Sequence, residues 1–400
     1  MSNPIYILHL TDFHLKCDPN PTFYTSTDKL NLLTLKLKEF LKLKARDHFN
    51  IVCLTGDMVH QNGNDVGNHS LAVNYINSLK NEGVINTERT RIYSAPGNHD
   101  LDFDKANKRD SNVNLTRAEY FKKLKANENP PILYQCIDEF EDELIPLFDR
   151  YKNFVSEIGA NRVDLKNNHL YGYDNIDDED IFVSWFNTSW LSIKDKDWNS
   201  LCKVNYDANI RINDHEKLSV GYKVNFDIFN NLPENSRFTL ALFHHDTRLL
   251  SWHDKYDYNL KNAKGETNYS HVSFYSKVHC YDYVLNGHTH GDLFDGNAAT
   301  GPCIADNNLE NFIIIHEVDL VRNYVIQNKI RLTKELLSQD DIVHRIVVIK
   351  PKSFLNTVRK NYTIEDLDND LKHNLSSEEY LDIVSSDKEL ELLSLDQLID

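Results

Sequence analysis

A chain of 400 residues and 46.6 kDa, with 40% hydrophobic residues, can bury a large core, so one large domain with insertions is expected. Its net charge of −17 argues against strong nonspecific binding to duplex DNA, which depends on neutralising phosphates with Lys and Arg. No run approaches the ~20 apolar residues that cross a bilayer, and Met1 to Leu10 lacks the basic start and long apolar stretch of a secretory signal, so a soluble, cytoplasmic protein without a membrane partner is expected. The six cysteines, at 17, 53, 136, 202, 280 and 303, have no C-x-x-C spacing and read as reduced thiols.

Along the chain, five short apolar runs rich in β-branched and aromatic residues are each closed by turn residues, which is how a buried strand ending in a loop reads. Ile5 to Leu10 leads into Asp12-Phe13-His14, and Ile51 to Leu54 leads into Gly56-Asp57. Ile92 to Ala95 precedes Gly97-Asn98-His99-Asp100, Phe238 to Phe243 precedes His244-His245, and Tyr283 to Leu285 precedes Gly287-His288-Thr289-His290. Between the first blocks, residues 28–48 and 68–82 carry apolar residues at helical spacing, as covers for a sheet.

A long polar insertion, Leu101 to Asp180, follows the third block. Its periodic piece, from Phe140 to Ile158, reads as a helix packed on the domain and kinked or started by Pro146. Leu101 to Asn129 is a candidate substrate lid, although its lysines and arginines fit solvated helix surface better. A second insertion, Thr247 to His279, separates the fourth and fifth blocks and holds Arg248 and Trp252. Phe312 to Val318, Tyr324 to Ile330 and Ile342 to Ile349 read as strands that finish the second of two sheets. The domain is expected to span 1–350, with an acidic helical tail over 351–400. From residue 361 the chain has 12 Asp and Glu against 2 Lys, so this stretch carries 10 of the 17 net negative charges. Such a tail docks on its own domain or meets a protein partner.

Any one block alone is ordinary turn chemistry, since Asp and Gly suit strand-to-loop corners, and any one of the 18 histidines can be a core residue. Five in order, each behind a strand, are another matter. They put polar residues at strand C-termini, the edge of an α/β sheet where ligands bind, and together they supply enough ligands for two metal ions. Carboxylate, imidazole and amide oxygen without thiolate suit borderline or hard divalent ions, so manganese, iron, zinc, nickel and magnesium all fit, and manganese is the first expectation.

The blocks resemble the calcineurin-like metallophosphoesterases, with their pattern D-x-H, G-D, G-N-H-[D/E], H, G-H-x-H, over roughly residues 4 to 320. The resemblance implies an α/β/β/α sandwich of two packed mixed sheets with helices outside. It implies that Asp12, His14 and His290 hold one metal, that Asn98, His244 and His288 hold the other, and that Asp57 bridges them. By the same resemblance a hydroxide between the two ions attacks phosphorus, and His99 is the acid for the leaving oxygen. Asp100 is expected to fix the His99 ring, because such imidazoles usually have their other nitrogen bound by a carboxylate or carbonyl.

His244 and His245 are neighbours on a strand end, so they point to opposite sides and one of them faces the metals. His244 is the expected ligand, by the family habit of a histidine at the strand end. The family's Pro two places on is Asp246 here. His245 and Arg248 are candidate substrate contacts. Gly56-Asp57 lacks the following D-R-G of the Ser/Thr protein phosphatases, and the G-N-H-D form looks more like the cyclic-nucleotide phosphodiesterase branch. A small phosphodiester or nucleotide is therefore the first expected substrate and nucleic acid, cut by a nuclease of the same motif set, the second. A non-catalytic binding or scaffold module with this fold is the alternative of another class.

Overall fold

In the computed structural model the described residues are 4–17, 25–60, 65–106, 139–161, 169–176, 180–192, 236–246, 281–289 and 312–349, with short pieces between them. His290, Arg248, the second insertion, the acidic tail and most of 107–138 lie outside these residues.

Strands β1 (Ile5–Leu10), β2 (Ile51–Leu54) and β3 (Arg91–Ser94) run parallel, with Leu10 opposite Leu54 and Leu54 opposite Ser94. Every residue of β1 and β2 is buried, as continuous apolar runs in a sheet covered on both faces should be. The outer cover is helical. Helix α1 (Thr27–Leu43) starts at Ser26, whose hydroxyl accepts the Lys29 amide at 3.3 Å, and α2 (Val66–Asn81) starts at Asp65, which accepts the Asn68 amide at 3.0 Å. Leu33, Leu37, Phe40, Ala72, Ile76 and Leu79 pack from these helices toward Tyr6, Leu8, Val52 and Leu54.

The second sheet holds β4 (Gly172–Ile176), β5 (Ile181–Trp185), β6 (Phe238–Leu242), β7 (Tyr283–Asn286), β8 (Phe294–Asp295) and β9 (Ala298–Thr300), in the order β4-β5-β6-β7-β9-β8. Its strands β5, β6 and β7 are parallel. The two sheets share one core, in which Ile7, Cys53 and Tyr93 meet Val183, Trp185, Leu240 and Leu285. The Tyr93 and Trp185 rings stack at 5.8 Å. This is the expected layered α/β architecture of two mixed sheets with helices outside.

Sheet membership differs from expectation for the last strands. β10 (Phe312–Asp319), β11 (Tyr324–Arg331) and β12 (Ile342–Val348) extend the first sheet, whose order is β12-β11-β10-β1-β2-β3. β10 lies antiparallel on the edge of β1 not used by β2, with Ile5 opposite Val318, whereas the free edge of β7 is taken by β9. β4 is also a strand inside the segment expected as an insertion.

The aromatic stripe of that segment is three pieces. After the short α3 (Phe103–Ala106) come α4 (Glu141–Leu144), a 3-10 turn over Ile145–Phe148, and α5 (Asp149–Ile158), which ends at Gly159 in the left-handed region. Pro146 has no amide to continue an α-helix, so the chain tightens there and restarts. Leu144, Leu147, Phe148, Tyr151, Phe154, Val155 and Ile158 are buried, so the stripe is packing. Tyr151 also bonds Ser94 at 2.7 Å, bracing the end of β3 just before Gly97.

Candidate metal centre

Because β1, β2 and β3 are parallel, and β6 and β7 are parallel, the five blocks leave their strands at C-terminal ends. Beyond β1 and β2 the pairing continues: the amides of Asp12, His14 and Leu15 bond the carbonyls of Gly56, Asp57 and Met58 at 3.0–3.1 Å. This brings the first two blocks side by side. The turn backbone there is strained, with Asp12, His14, Asp57 and His288 at φ +53°, +47°, +54° and +68°. Such non-glycine conformations cost on the order of 1–3 kcal/mol each and persist where the surrounding structure holds them. Gly56 is at φ +87°, and a Cβ on it would lie 2.4 Å from the Gly97 nitrogen. The second and third blocks therefore touch backbone to backbone.

The donor atoms converge. Asp57 Oδ2 is 3.3 Å from His244 Nε2 and 4.0 Å from His14 Nε2, and Asp12 Oδ1 is 3.8 Å from His14 Nε2. Asn98 Oδ1 is 3.0 Å from His244 Nε2 and 3.1 Å from His288 Nδ1. Donors that each sit about 2.1 Å from one ion lie about 3–4 Å from each other, so these separations fit ions lodged between them. Asp12, His14, Asp57 and His244 are buried, while the His99 ring is 23% exposed. Six of the seven expected ligands are thus brought together. The seventh, His290, lies outside the described residues.

The supports are equally specific. Thr55 O accepts from His244 Nδ1 at 2.7 Å, which leaves Nε2 as the free lone pair, the tautomer a metal ligand needs. Thr11 donates to Asp12 Oδ2 at 2.6 Å, and the His288 amide reaches the same oxygen at 3.1 Å. The His99 amide donates to Asp57 Oδ1 at 2.8 Å and directs Oδ2 toward the imidazoles.

Electrostatics follow this arrangement. Burial alone would raise the Asp57 carboxyl, but His244 and His99 beside it hold it well below the usual range. Burial opposes the charged form of His244, yet Asp57 and then Asp12 lift it to about 9. The buried carboxylates call for positive charge, which a proton or a divalent ion can supply.

Asp100 does not take its expected place against the His99 ring. It is the last residue of the 3-10 turn Asn98–Asp100, and its Oδ2 folds back to accept the amides of Gly97 at 2.8 Å and Asp57 at 3.0 Å. Burial, then the Asp57 charge, raises its carboxyl to about 7. The His99 Nε2 is 3.9 Å from Asp57 Oδ2, and its ring stands edge-on to that of His14 with the centres 4.8 Å apart.

His244, not its neighbour, faces Asp57. His245 is fully buried, and burial followed by the nearby His288 and His244 holds it well below the ordinary imidazole range. Thr188 bonds both its ring Nδ1, at 3.0 Å, and its amide, at 3.1 Å. Its ring centre is 4.5 Å from that of His288, and the donor atoms of His244, His245 and His288 lie within 4.8 Å of one another. The candidate substrate contact Arg248 lies outside the described residues.

Two further features escaped the sequence reading. His60 stands where the extended pairing continues past Asp57, and one donor atom from each of His14, His60 and His99 lies within 4.8 Å of the others. Burial and His99 lower it to about 4. The loop after β5, Asn187-Thr188-Ser189, is entirely buried; besides holding His245 it bonds Pro96 O through Ser189 at 3.2 Å. Its signal was present, because Ile181 to Phe186 is another apolar run closed by polar turn residues. Among the described residues Cys17, Cys53 and Cys303 are free, and no helix is long and apolar enough to cross a membrane.

No curated protein matches the sequence. Among solved structures, a dimetal phosphatase from Danio rerio aligns with 87% of this chain and all of its own, at 10% identity and a TM-score of 0.44. A purple acid phosphatase from yellow lupin (Lupinus luteus) seeds aligns with 87% of this chain and 54% of its own, at 9% identity and a TM-score of 0.40. The calcineurin-like phosphoesterase family matches residues 5–292, a span that includes all five blocks. With well over half of its length matched, the chain belongs to the calcineurin-like phosphoesterase family.

Proposed function

We propose that this chain is a metal-dependent phosphodiesterase acting first on small nucleotides or cyclic nucleotides. Asp12, His14 and His290 would hold one divalent ion and Asn98, His244 and His288 the other, with Asp57 shared. Two such ions, manganese first among the candidates, supply an acidified water for attack and charge to clamp the phosphoryl oxygens. The protein's part is to fix the donors, exclude water from Asp57, and hold a proton where the leaving oxygen departs.

The observation that carries the reading is the contrast in exposure within the cluster. Asp57 and His244 are sealed at 2% and 0%, whereas the His99 side chain, 23% exposed, opens to solvent 3.9 Å from Asp57. A group in that position can donate to a departing alkoxide. Preference for a diester rests on the Gly97-Asn98-His99-Asp100 form and on the missing D-R-G after Asp57. The charge of −17 favours a small substrate over DNA.

The test is hydrolysis of bis(p-nitrophenyl) phosphate and p-nitrophenyl phosphate with Mn²⁺ by the wild type, Asp57→Asn and His99→Ala. Metal-dependent turnover of the diester above the monoester, lost in both variants, is the expected result. No turnover with any of several metals would favour a binding or scaffold module. Where turnover exists, cyclic nucleotides assayed beside single- and double-stranded DNA decide the substrate, and cleavage of DNA alone would make the chain a nuclease.

A further inference from the structure

We infer that Asp100 is the positioning residue of the Asp57 carboxylate, acting through the backbone of Asp57 and not through His99. This rests on the proposed two-metal reading, in which Asp57 is shared.

One turn grips Asp57 at both ends. Asp100 Oδ2 accepts the Asp57 amide at 3.0 Å and the Gly97 amide at 2.8 Å, tying the second and third blocks together. From the same turn, the His99 amide holds Asp57 Oδ1 at 2.8 Å. Asp57 lies at φ +54°, in the left-handed region that is uncommon for a non-glycine residue, and the two bonds hold it there. The fit is tight: a Cβ on Gly97 would lie 2.2 Å from Asp57 Oδ1.

The consequence concerns metal geometry. Asn98 is in the turn and Asp57 is what the turn grips, so the distance between Asn98 Oδ1 and Asp57 Oδ2 is set by the Asp100 clamp. His244 Nε2 sits 3.0 Å from the first and 3.3 Å from the second, so a released Asp57 would loosen the donor set on both sides of His244. Asp100 itself is 1% exposed and offers nothing to a substrate.

Mn²⁺ titration of the full chain, followed by calorimetry and by the electron paramagnetic resonance signature of two coupled ions, separates the roles. Asp100→Ala is expected to lose 10- to 100-fold, very roughly, in affinity for at least one ion and to lose the coupled signature. Asp100→Asn keeps a carbonyl oxygen that can accept both amides, so it should retain most of the affinity. If Asp100→Ala keeps both affinities and the coupling, the inference is overturned. It is likewise overturned if both variants keep the metals and shift the acid limb of the activity profile alike, since that is the mark of a partner of His99. Should the wild type take up no ion, the proposed function fails on its own. Hydrogen exchange at the Asp57 and Gly97 amides of the metal-free chain then decides: faster in Asp100→Ala than in the wild type supports the clamp, and unchanged exchange overturns it.

Discussion

Two groups of buried histidines stand a short way apart and behave oppositely. At the strand ends, His14 and His244 sit among Asp12, Asp57 and Asn98, and the carboxylates lift His244 to about 9 in spite of complete burial. Between the sheets, His9 and His316 face each other at a ring distance of 5.7 Å and bond hydroxyls, Thr55 at 2.8 Å and Tyr283 at 3.0 Å, with Asp12 acting on His9 too weakly to offset its burial. Burial there wins: His9 falls to about 3 and His316 well below its ordinary range. Burial is common to both groups. What makes one of them a candidate cation site is that carboxylates reach its imidazoles directly, Asp57 at 3.3 Å from His244 and Asp12 at 3.8 Å from His14.

The sharpest way to break this comparison is to remove the shared carboxylate. Asp57→Asn should abolish metal-dependent turnover and the stabilisation that metal confers. A saturating ion at 100 times its dissociation constant adds about 2.7 kcal/mol per site to the wild type, so the variant should show almost no rise in melting temperature with Mn²⁺. An unchanged rise would mean that the imidazoles alone make the site. His99→Ala comes next. Its turnover should fall by about 10²–10⁴-fold with both ions retained, because in its proposed role as acid His99 contributes to the barrier and not to the ligand set. Loss of an ion in that variant would make His99 a ligand instead.

The strand-end group was legible in the sequence because each member stands directly behind a run that reads as a strand, and because adjacent parallel strands must end on the same edge. The interior group was not, since nothing local distinguishes His9 in β1 from a ligand three residues later. Sheet membership was equally hidden. The pairing of Ile5 with Val318 joins residues from opposite ends of the domain, and only the unused edge of β1 decides it. β4, with the sequence Gly-Tyr-Asp-Asn-Ile, lacks an apolar run because it is a half-exposed edge strand. His60 comes beside His14 and His99 through pairing that no spacing rule reaches, whereas Thr188 follows an apolar run of the same kind as the five and was legible.

The interior histidines carry their own test. An unfolded chain takes up a proton on each below about pH 6.5, whereas folded His9 resists it until about pH 3. The stability that neutral His9 contributes is therefore complete above pH 6.5 and is lost as the pH falls toward 3, by about 2 kcal/mol at pH 5. Urea unfolding at pH 7 and pH 5 should show the gap between the two shrink by about that amount in His9→Gln, whose amide can still reach Thr55, with Mn²⁺ binding intact. If the gap stays the same, His9 is not held neutral, and the two groups do not differ in charge as the comparison requires.

His245 lies on the boundary between them. Its ring touches those of His244 and His288, yet its pKa moves down as it does in the interior group, and Thr188 takes its Nδ1 and its amide. Thr188→Val keeps the side-chain shape and removes the hydroxyl. The amide and Nδ1 of His245 then lose that partner in a dry environment, at a cost of about 1–3 kcal/mol of stability. If His245 belongs with the interior residues, urea unfolding shows this loss while the Mn²⁺ count stays at two and affinity is unaltered. A drop in affinity alongside the drop in stability would instead place His245 among the ligands, because a ligand imidazole depends on the bond at its other nitrogen. The expected result is the first, since Asp57 Oδ2 lies against His244 at 3.3 Å, whereas at His245 burial, then His288 and His244, outweigh the pull of Asp57.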